Sequence, residues 1–396
     1  MTLFRFPGFI HSKPLLKPIL IVLMGAASGF LQGSTWQTVE SEDPPVCNPL
    51  KGFVCYAEDY DGDPRIGFIE LGLVGFWGEW HTHPHLEWMP TETTQNAVME
   101  AYDNAFNTTC ILVREPRYNS PSYAIGYHDD SFVYSTYDNL PPNTDWYYYP
   151  KLVAYNETNK WTSCPMGGEL RPELQETLWN TPSCSFTHPK ELHTQTWNEA
   201  VELTHASWML VSHAFWPGYS GEAHNRALEG SRKLGYALRI DAWMAEPIPA
   251  SENIRFSVKI GNVGIAPFYY NWNLELGLFA TGMDPVVIST GWDIRSVIDA
   301  DPVTFVHEAN LQSLPDGTIT LAVRLKNPLP NGDPVVFANV NPNPPGLEWQ
   351  VLGTLNRPPV LSSIGNHTVR AGQTLRINIS TTDPDGNNPI FSASGE

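Results

Sequence analysis

Short apolar strands alternate with amphipathic helices along the first half of the chain. The buried strand Ile66–Gly72 is followed by a helix over Thr93–Phe106 whose apolar residues share one stripe. Such alternation favours parallel strands joined by crossover helices, so residues 46–245 are predicted to form an α/β domain. Further predicted elements are strands at Cys110–Arg114, Tyr123–Tyr127, Pro165–Gly168 and Trp208–Ser212, and helices at Lys190–His205 and Asn225–Leu238.

The pattern changes near Glu246–Pro249, where strictly alternating segments replace the strand–helix units. Ile254–Ile260, Ile319–Leu325 and the run through Leu274, Leu276 and Leu278 alternate between apolar and polar or small residues. Separation by Pro, Gly, Asn and Asp turns indicates an antiparallel β-sandwich over residues 246–355. The overall fold class is therefore α/β plus all-β.

A third segment, residues 356–396, opens at Asn356–Pro359 and has one alternating strand, Leu375–Ile379. About forty residues are too few for a sandwich of roughly 100. We therefore predict a truncated immunoglobulin-like module.

The composition is acidic and rich in aromatic residues. The chain has 23 Lys and Arg against 42 Asp and Glu, a formal charge of −19. Nucleic acid is excluded as a partner, because phosphate binding depends on clustered Lys and Arg. Fourteen Trp and sixteen Tyr suit a protein that handles uncharged, ring-shaped ligands, although on composition alone aromatic-rich packing is the favoured explanation.

The N-terminus has the order of a secretory signal peptide over residues 1–34. Basic residues precede the apolar run Pro18–Met24, and small residues follow it. The run is short for a membrane span, so a secreted or cell-surface protein without a stable membrane span is expected; an uncleaved anchor is the alternative.

Export permits disulfides. Among the five cysteines, Cys47 with Cys55 and Cys164 with Cys184 are the candidate pairs, which leaves Cys110 over.

Two glutamates are the candidate catalytic residues. Glu79 follows the first clear strand between Trp77 and Trp80, where lost solvation suits a carboxyl to general-acid work. Glu169 ends a later strand after two glycines. Carboxyls at two strand ends of one barrel are what glycoside hydrolysis requires, with Glu169 as nucleophile and Glu79 as acid/base in a retaining mechanism. A solvated loop or turn position is the alternative for each.

Other polar and aromatic residues fall at the same predicted rim and are candidates for binding a glycan substrate. Glu70, within the first strand, is held in reserve for either catalytic role. The candidate substrate-binding residues are Trp77, Trp80, His81, Arg114, His128, Asp129, Asp130 and His213.

No metal or other cofactor is expected. His81, His83 and His85 alternate, but spacing by two across Pro84 is no established zinc signature. Asp383 and Asp385 beside Gly386 fit a plain turn better than a calcium site.

Several motifs resemble a family of secreted proteins, the domain of unknown function 4832 family, over about residues 46–355. The motifs are Asn48–Phe53, Asp63–Gly72, Gly75–His81, Gly126–Ser131, Gly167–Glu169 and Gly264–Tyr269. The resemblance implies a glycosidase-like TIM (β/α) barrel followed by a β-sandwich. The segment after Asn356 resembles immunoglobulin-like and cadherin-like modules.

The barrel layout is similar to that of the clan A retaining glycoside hydrolases, with two departures. Gly78 stands where that clan usually has Asn before the acid/base Glu. Only Val54–Gly62 separates motifs that about three strand–helix units separate in the family. A partial barrel of five strands is therefore expected.

Three functions are left open. The leading one is a secreted glycoside hydrolase or a degenerate relative. The others are a non-catalytic carbohydrate-binding or adhesion protein and a metal-dependent hydrolase that uses His81–His85.

Overall fold

The structure is a computed structural model that describes residues 60–392 except 138–145, 190–192, 249–250, 252, 311–313, 315, 342–343 and 358. The predicted signal peptide, Cys47, Cys55 and the Asn48–Phe53 motif lie outside the described residues. By its own contacts the chain divides into two units. The first is Met1–Tyr236 with Gly264–Tyr269, and the second is Ala237–Val263 with Tyr270–Glu396.

A five-stranded parallel sheet organises the first unit. In the order β1-β2-β3-β4-β7, its strands are β1 (Phe68–Glu70), β2 (Cys110–Arg114), β3 (Ile125–Phe132), β4 (Gly167–Leu170) and β7 (Trp208–Leu210). Each strand pairs in parallel with its neighbour. The predicted parallel α/β sheet is therefore confirmed.

The sheet is strongly curled. Its edge strands would stand roughly 19 Å apart if five strands lay flat at the usual spacing. Instead, the rings of Phe68 on β1 and Trp208 on β7 lie 4.6 Å apart between centroids. The described sheet is thus a half-barrel, and the complete barrel of eight strands is not seen in the part of the chain that the structure describes.

Alternation along the strands separates two faces of this half-barrel. The outward face carries Ile111, Val113, Ile125 and Tyr127, which pack in one apolar core with Tyr102 and other helical residues. The residues between them therefore turn to the concave face. Arg114, His128 and Glu169 belong to this second set, so the concave face is polar at its C-terminal end.

Helices follow most of the strands, and several boundaries differ from the prediction. The helices are α1 (Glu92–Ala105), α2 (Tyr148–Ala154), α3 (Pro172–Gln175), α4 (Trp197–Thr204) and α5 (Gly221–Arg232). The first matches its prediction. The helix predicted over Lys190–His205 begins only at Trp197, because Thr194–Thr196 forms a strand, β6, that pairs with β5 (Ser185–Thr187).

The last helix of the first unit also ends early. Asn225–Leu238 was the predicted helix, but α5 stops at Arg232 and Leu238 begins a strand instead. Gly235 between them has φ +75°, a conformation that a helix does not accommodate.

The second unit is built from antiparallel sheets, as predicted. One sheet has the order β12-β9-β8 and the other β11-β10-β13-β14. Their strands are β8 (Leu238–Pro247), β9 (Asn253–Asn262), β10 (Asn273–Ala280), β11 (Val286–Asp293), β12 (Val303–Asn310), β13 (Ile319–Leu325) and β14 (Gln350–Leu355). Apolar residues at alternate positions, such as Phe256 and Val258, are fully buried.

The segment after Asn356 has little core of its own. Its strands β15 (Val360–Leu361) and β16 (Thr381–Thr382) pair with each other, and Leu375, Ile377 and Ile379 are exposed. The strand predicted over Leu375–Ile379 is therefore not formed, since no facing apolar surface stabilises it.

The predicted Cys164–Cys184 disulfide is wrong. Both residues are free, and so is Cys110. Cys164 Sγ instead lies 3.8 Å from the carbonyl oxygen of Ala124, and the influence of Cys110 lowers the pKa of its thiol.

The half-barrel leaves no room for a side chain at Gly168. A Cβ atom there would lie 1.9 Å from the carbonyl oxygen of Asp129 on the neighbouring strand. Because a backbone oxygen cannot move aside, we expect Gly168→Ala to lower the free energy of unfolding by about 3 kcal/mol or more, measured by urea denaturation. Gly365→Ala is the matched control, since nothing lies within 4 Å of its added Cβ. Equal stability of the two variants would contradict the packing of β3 against β4.

Candidate active site

The loop after β1 is tightly folded and carries Glu79. Trp80 donates its backbone N–H to the Val74 carbonyl and its indole N–H to the Leu71 carbonyl. Gly78 has φ +81°, and a Cβ there would lie 2.4 Å from the Gly72 carbonyl oxygen, so glycine is required. This folding directs the Glu79 carboxyl towards the C-terminal end of the sheet.

Two cationic or potentially cationic groups face the Glu79 carboxylate. Arg114 Nη1 on β2 lies 3.3 Å from Glu79 Oε2, and His81 Nε2 lies 3.1 Å from the same oxygen. Arg114 is largely buried, with 18% of its side chain exposed, so its charge is weakly screened. Glu79 therefore has two hydrogen-bonding partners that carry or can carry a positive charge.

A buried ion pair on β3 stands next to them. His128 Nδ1 lies 2.8 Å from Asp130 Oδ1, and Arg114 Nε lies 3.8 Å from Asp130 Oδ2. Burial alone would lower the pKa of His128, but Asp130 and Glu70 raise it to about 9. Burial likewise opposes ionisation of Asp130, yet His128 and Arg114 hold the pKa of its carboxyl below the ordinary value. At neutral pH this pair is charged on both sides.

Among the residues that the structure describes, Glu169 near the end of β4 has no cationic partner of this kind. Its Oε1 accepts one hydrogen bond, 3.3 Å from Gln175 Nε2 on α3. Burial, with the negative charges of Asp130 and Glu79 nearby, raises the pKa of Glu169 to about 7. The two predicted catalytic carboxyls therefore have opposite surroundings.

A third carboxyl, that of Glu70, lies deeper on the concave face. Its side chain forms no hydrogen bond or ion pair with any residue that the structure describes. Burial, together with the charges of Asp130 and Glu79, raises the pKa of Glu70, while His128 opposes the shift. A half-buried carboxyl without such a partner and with a raised pKa is a candidate functional group.

These groups line one cleft with two tryptophans. Trp77 is 73% exposed at its mouth, and Trp208 covers part of its floor, 6.2 Å from the His128 ring. Trp208 was not among the predicted site residues, although the period of two along β7 turns it to the same face as Glu169. The cleft is lined by Glu70, Gly72, Trp77, Gly78, Glu79, His128, Asp130, Gly168, Glu169, Trp208 and Leu210.

Three predicted binding residues lie away from this cleft. Trp80 is 2% exposed and belongs to the core behind the sheet. Asp129 turns outward on β3 and accepts hydrogen bonds from Ser131 N–H and Thr136 Oγ1, at 2.8 and 2.7 Å. His213 is half-buried beyond β7, with its ring 5.0 Å from that of Tyr219.

The three alternating histidines diverge. His81 bonds to Glu79, whereas the His85 ring stacks on Trp88 at 4.0 Å. His83 is exposed. Across the described ranges, no group of three or more His, Cys, Asp or Glu residues is arranged to hold a metal ion.

The predicted turn at Asp383 and Asp385 has a structural partner. Asp385 forms an ion pair with Arg357, in which Asp385 Oδ1 lies 2.8 Å from Arg357 Nε. Asp385 Oδ2 accepts a hydrogen bond from the backbone N–H of Arg357. Asp383 Oδ1 accepts the N–H of Asp385 at 2.8 Å. Both carboxylates are thus used in folding this segment.

Comparisons with known proteins found no matching family model, no matching curated protein and no matching solved structure. Within the residues described, none of the helices combines the length and hydrophobicity needed to cross a bilayer.

The charge on His128 depends chiefly on one carboxylate. In Asp130→Asn, burial would outweigh the remaining attraction of Glu70, so we expect the pKa of His128 to fall well below about 9. NMR titration of the imidazole C–H signals measures this directly, with the exposed His83 as internal reference. An unchanged His128 titration in the variant would contradict the ion pair.

Proposed function

We propose that the protein is a secreted, carbohydrate-active protein that hydrolyses glycosidic bonds through Glu79 and Glu169. The observation that carries this proposal is that two carboxyls line one cleft in opposite electrostatic surroundings. Glycoside hydrolases need one carboxyl that keeps its proton and one that stays ionised. Exposed Trp77 at the mouth offers an apolar face on which a sugar ring can stack.

The surroundings of Glu79 and Glu169 support catalytic roles opposite to those expected from the sequence. Glu169, with a pKa of about 7, is the group suited to hold a proton. Glu79 faces Arg114 and His81, which stabilise a carboxylate. We therefore assign Glu169 as general acid and Glu79 as nucleophile.

In a retaining reaction the proton of Glu169 passes to the glycosidic oxygen as the bond to the anomeric carbon breaks. The Glu79 carboxylate forms a bond to that carbon, and Glu169 then removes a proton from the water that releases the sugar. The cleft supplies a buried environment in which the charge on Arg114 acts strongly on Glu79.

The finer features of the fold belong to the same proposal. The half-barrel supports a glycosidase-like TIM barrel of reduced size, and the antiparallel sheets of the second unit support a β-sandwich. Residues 356–392 support an incomplete immunoglobulin-like module. The resemblance to the domain of unknown function 4832 family and the signal-peptide pattern support a secreted protein with a glycan or polysaccharide partner.

Neutralising either carboxyl tests the assignment. We expect Glu79→Gln and Glu169→Gln each to lower kcat at least about a hundredfold on aryl glycosides or polysaccharides, because each removes one half of the mechanism. Glu87→Gln is the matched control, since Glu87 is 68% exposed and lies outside the cleft. Activity that survives in both cleft variants would refute the assignment.

The pH profile tests the roles. A general acid must be protonated, and the protonated fraction of Glu169 falls as the pH rises through about 7. We therefore expect kcat/KM to fall about tenfold per pH unit above that value. In Glu169→Gln, the residual activity on aryl glycosides with good leaving groups should lose this alkaline limb. A limb that persists in Glu169→Gln but disappears in Glu79→Gln would restore the roles expected from sequence.

A non-catalytic glycan-binding protein is the second candidate. The exposed Trp77 and the small number of barrel strands favour it. Binding of polysaccharide without turnover, unaffected by Glu169→Gln, would replace hydrolysis with this function.

A further inference from the structure

We propose that the Glu70 carboxyl on the cleft floor is a substrate-binding group that forms a hydrogen bond with a hydroxyl of an uncharged sugar ring. This inference rests on the proposed function, since it names the substrate class of the same cleft. It gives a role to a residue that neither catalytic step uses.

Glu70 is half-buried and has no hydrogen-bond or ion-pair partner among the described residues. It lies in β1, the edge strand whose Phe68 ring meets Trp208 across the curled sheet. No residue in the described ranges satisfies its carboxyl, although it lines the cleft. Carboxyls that lose most of their solvation are normally paired or hydrogen-bonded, so an unpaired one that lines a cleft is available to a ligand.

Two further polar atoms of the cleft residues lack hydrogen-bond partners within the described structure. The Trp208 indole N–H is a buried donor without an acceptor, and Asp130 Oδ2 is a buried acceptor without a donor. With the Glu70 carboxyl they offer both kinds of partner. Sugar hydroxyls each donate and accept, so a polyhydroxylated ring can satisfy this mixed set.

The charges of the cleft select against an anionic ring. Arg114 is already paired with Glu79, and His128 with Asp130. A uronate or sulfated sugar would bring a further negative charge beside the Glu79 and Asp130 carboxylates, and the described residues offer it no free cation in the cleft. Burial of an unpaired charge costs several kcal/mol, so uncharged sugars should be preferred.

Glu70 itself must be neutral to donate to a sugar hydroxyl. Its burial and the neighbouring carboxylates of Asp130 and Glu79 raise its pKa, which favours the protonated form, whereas His128 on β3 acts in the opposite direction. Of the other charged groups nearby, Arg114 on β2 is paired with Glu79.

Matched aryl glycosides test the substrate class. The 4-nitrophenyl β-glucoside and β-glucuronide differ only at C6, where a hydroxymethyl group replaces a carboxylate; the galactoside and galacturonide form a second pair. We expect kcat/KM at least tenfold higher for the uncharged member of whichever pair is turned over. A higher value for the uronide, or for 4-nitrophenyl β-glucosaminide with its free amine, would overturn the inference.

Variants at Glu70 test the residue. Glu70→Leu removes both hydrogen-bonding functions and should raise KM at least tenfold with kcat changed less than threefold. Glu70→Gln keeps a donor and an acceptor and should raise KM only about threefold. A KM for Glu70→Leu equal to that of the wild type, with the thermal midpoint preserved, would overturn the role of Glu70. Glu87→Gln again serves as the control that should change nothing.

Different results would refute the catalytic assignment and the inference about Glu70. Turnover that persists in Glu79→Gln and Glu169→Gln refutes the catalytic assignment, whatever Glu70 does. If no glycoside is turned over, the Trp208 indole N–H signal of the isotope-labelled protein reports binding by NMR. A shift of that signal with the glucoside or galactoside but not with the uronides would retain the Glu70 inference in a binding protein, and the absence of any shift would overturn both.

Discussion

The ion pairs around Arg114 are the interaction on which the cleft depends. The carboxyls of Glu79, Asp130 and Glu169 lie in one cleft. They would repel one another if all three were ionised without neighbouring cations. Arg114 lies between Glu79 and Asp130 and compensates both, and His128 completes the pairing of Asp130. Because the two cations are used in this way, the remaining carboxyl receives no such compensation and holds its proton more firmly.

Curling of the sheet is what brings these groups within range of one another. In a flat five-stranded sheet, Glu169 on β4 and Glu79 after β1 would lie too far apart for their charges to interact strongly. The contact between Phe68 and Trp208 closes the lower part of the concave face. It thereby limits solvent at the level of Glu70, and this loss of solvation dominates the properties of that carboxyl.

Sequence patterns predicted the elements better than the roles of the residues on them. The parallel strand at Cys110–Arg114 and the antiparallel strand at Ile319–Leu325 match their predicted bounds, because their apolar periodicity is strong. The helix over Lys190–His205 was overestimated, because the pairing of Thr194–Thr196 with another strand leaves no trace in helical periodicity. Cys164 was paired by proximity in sequence, whereas its neighbour in space comes from a strand over fifty residues earlier.

Within the site, the period of two along β3 decides which predictions succeed. His128 and Asp130 face the cleft, so Asp129 between them faces outward. The prediction placed all three residues at the end of one strand, and that position alone does not show which side chains face the cleft. The same reasoning shows why Trp80 does not bind ligand, since its indole is used to fix the loop that presents Glu79.

A half-barrel can carry such a site because every charged group in it comes from the described sheet and the loop after its first strand. The two carboxyls with opposite surroundings need only Arg114, the ion pair of β3 and the burial that the curl provides. Additional strands would extend the cleft and its binding surface, but the electrostatic asymmetry between Glu79 and Glu169 is complete without them. Catalysis by the proposed mechanism is therefore compatible with the five-stranded half-barrel that the structure describes.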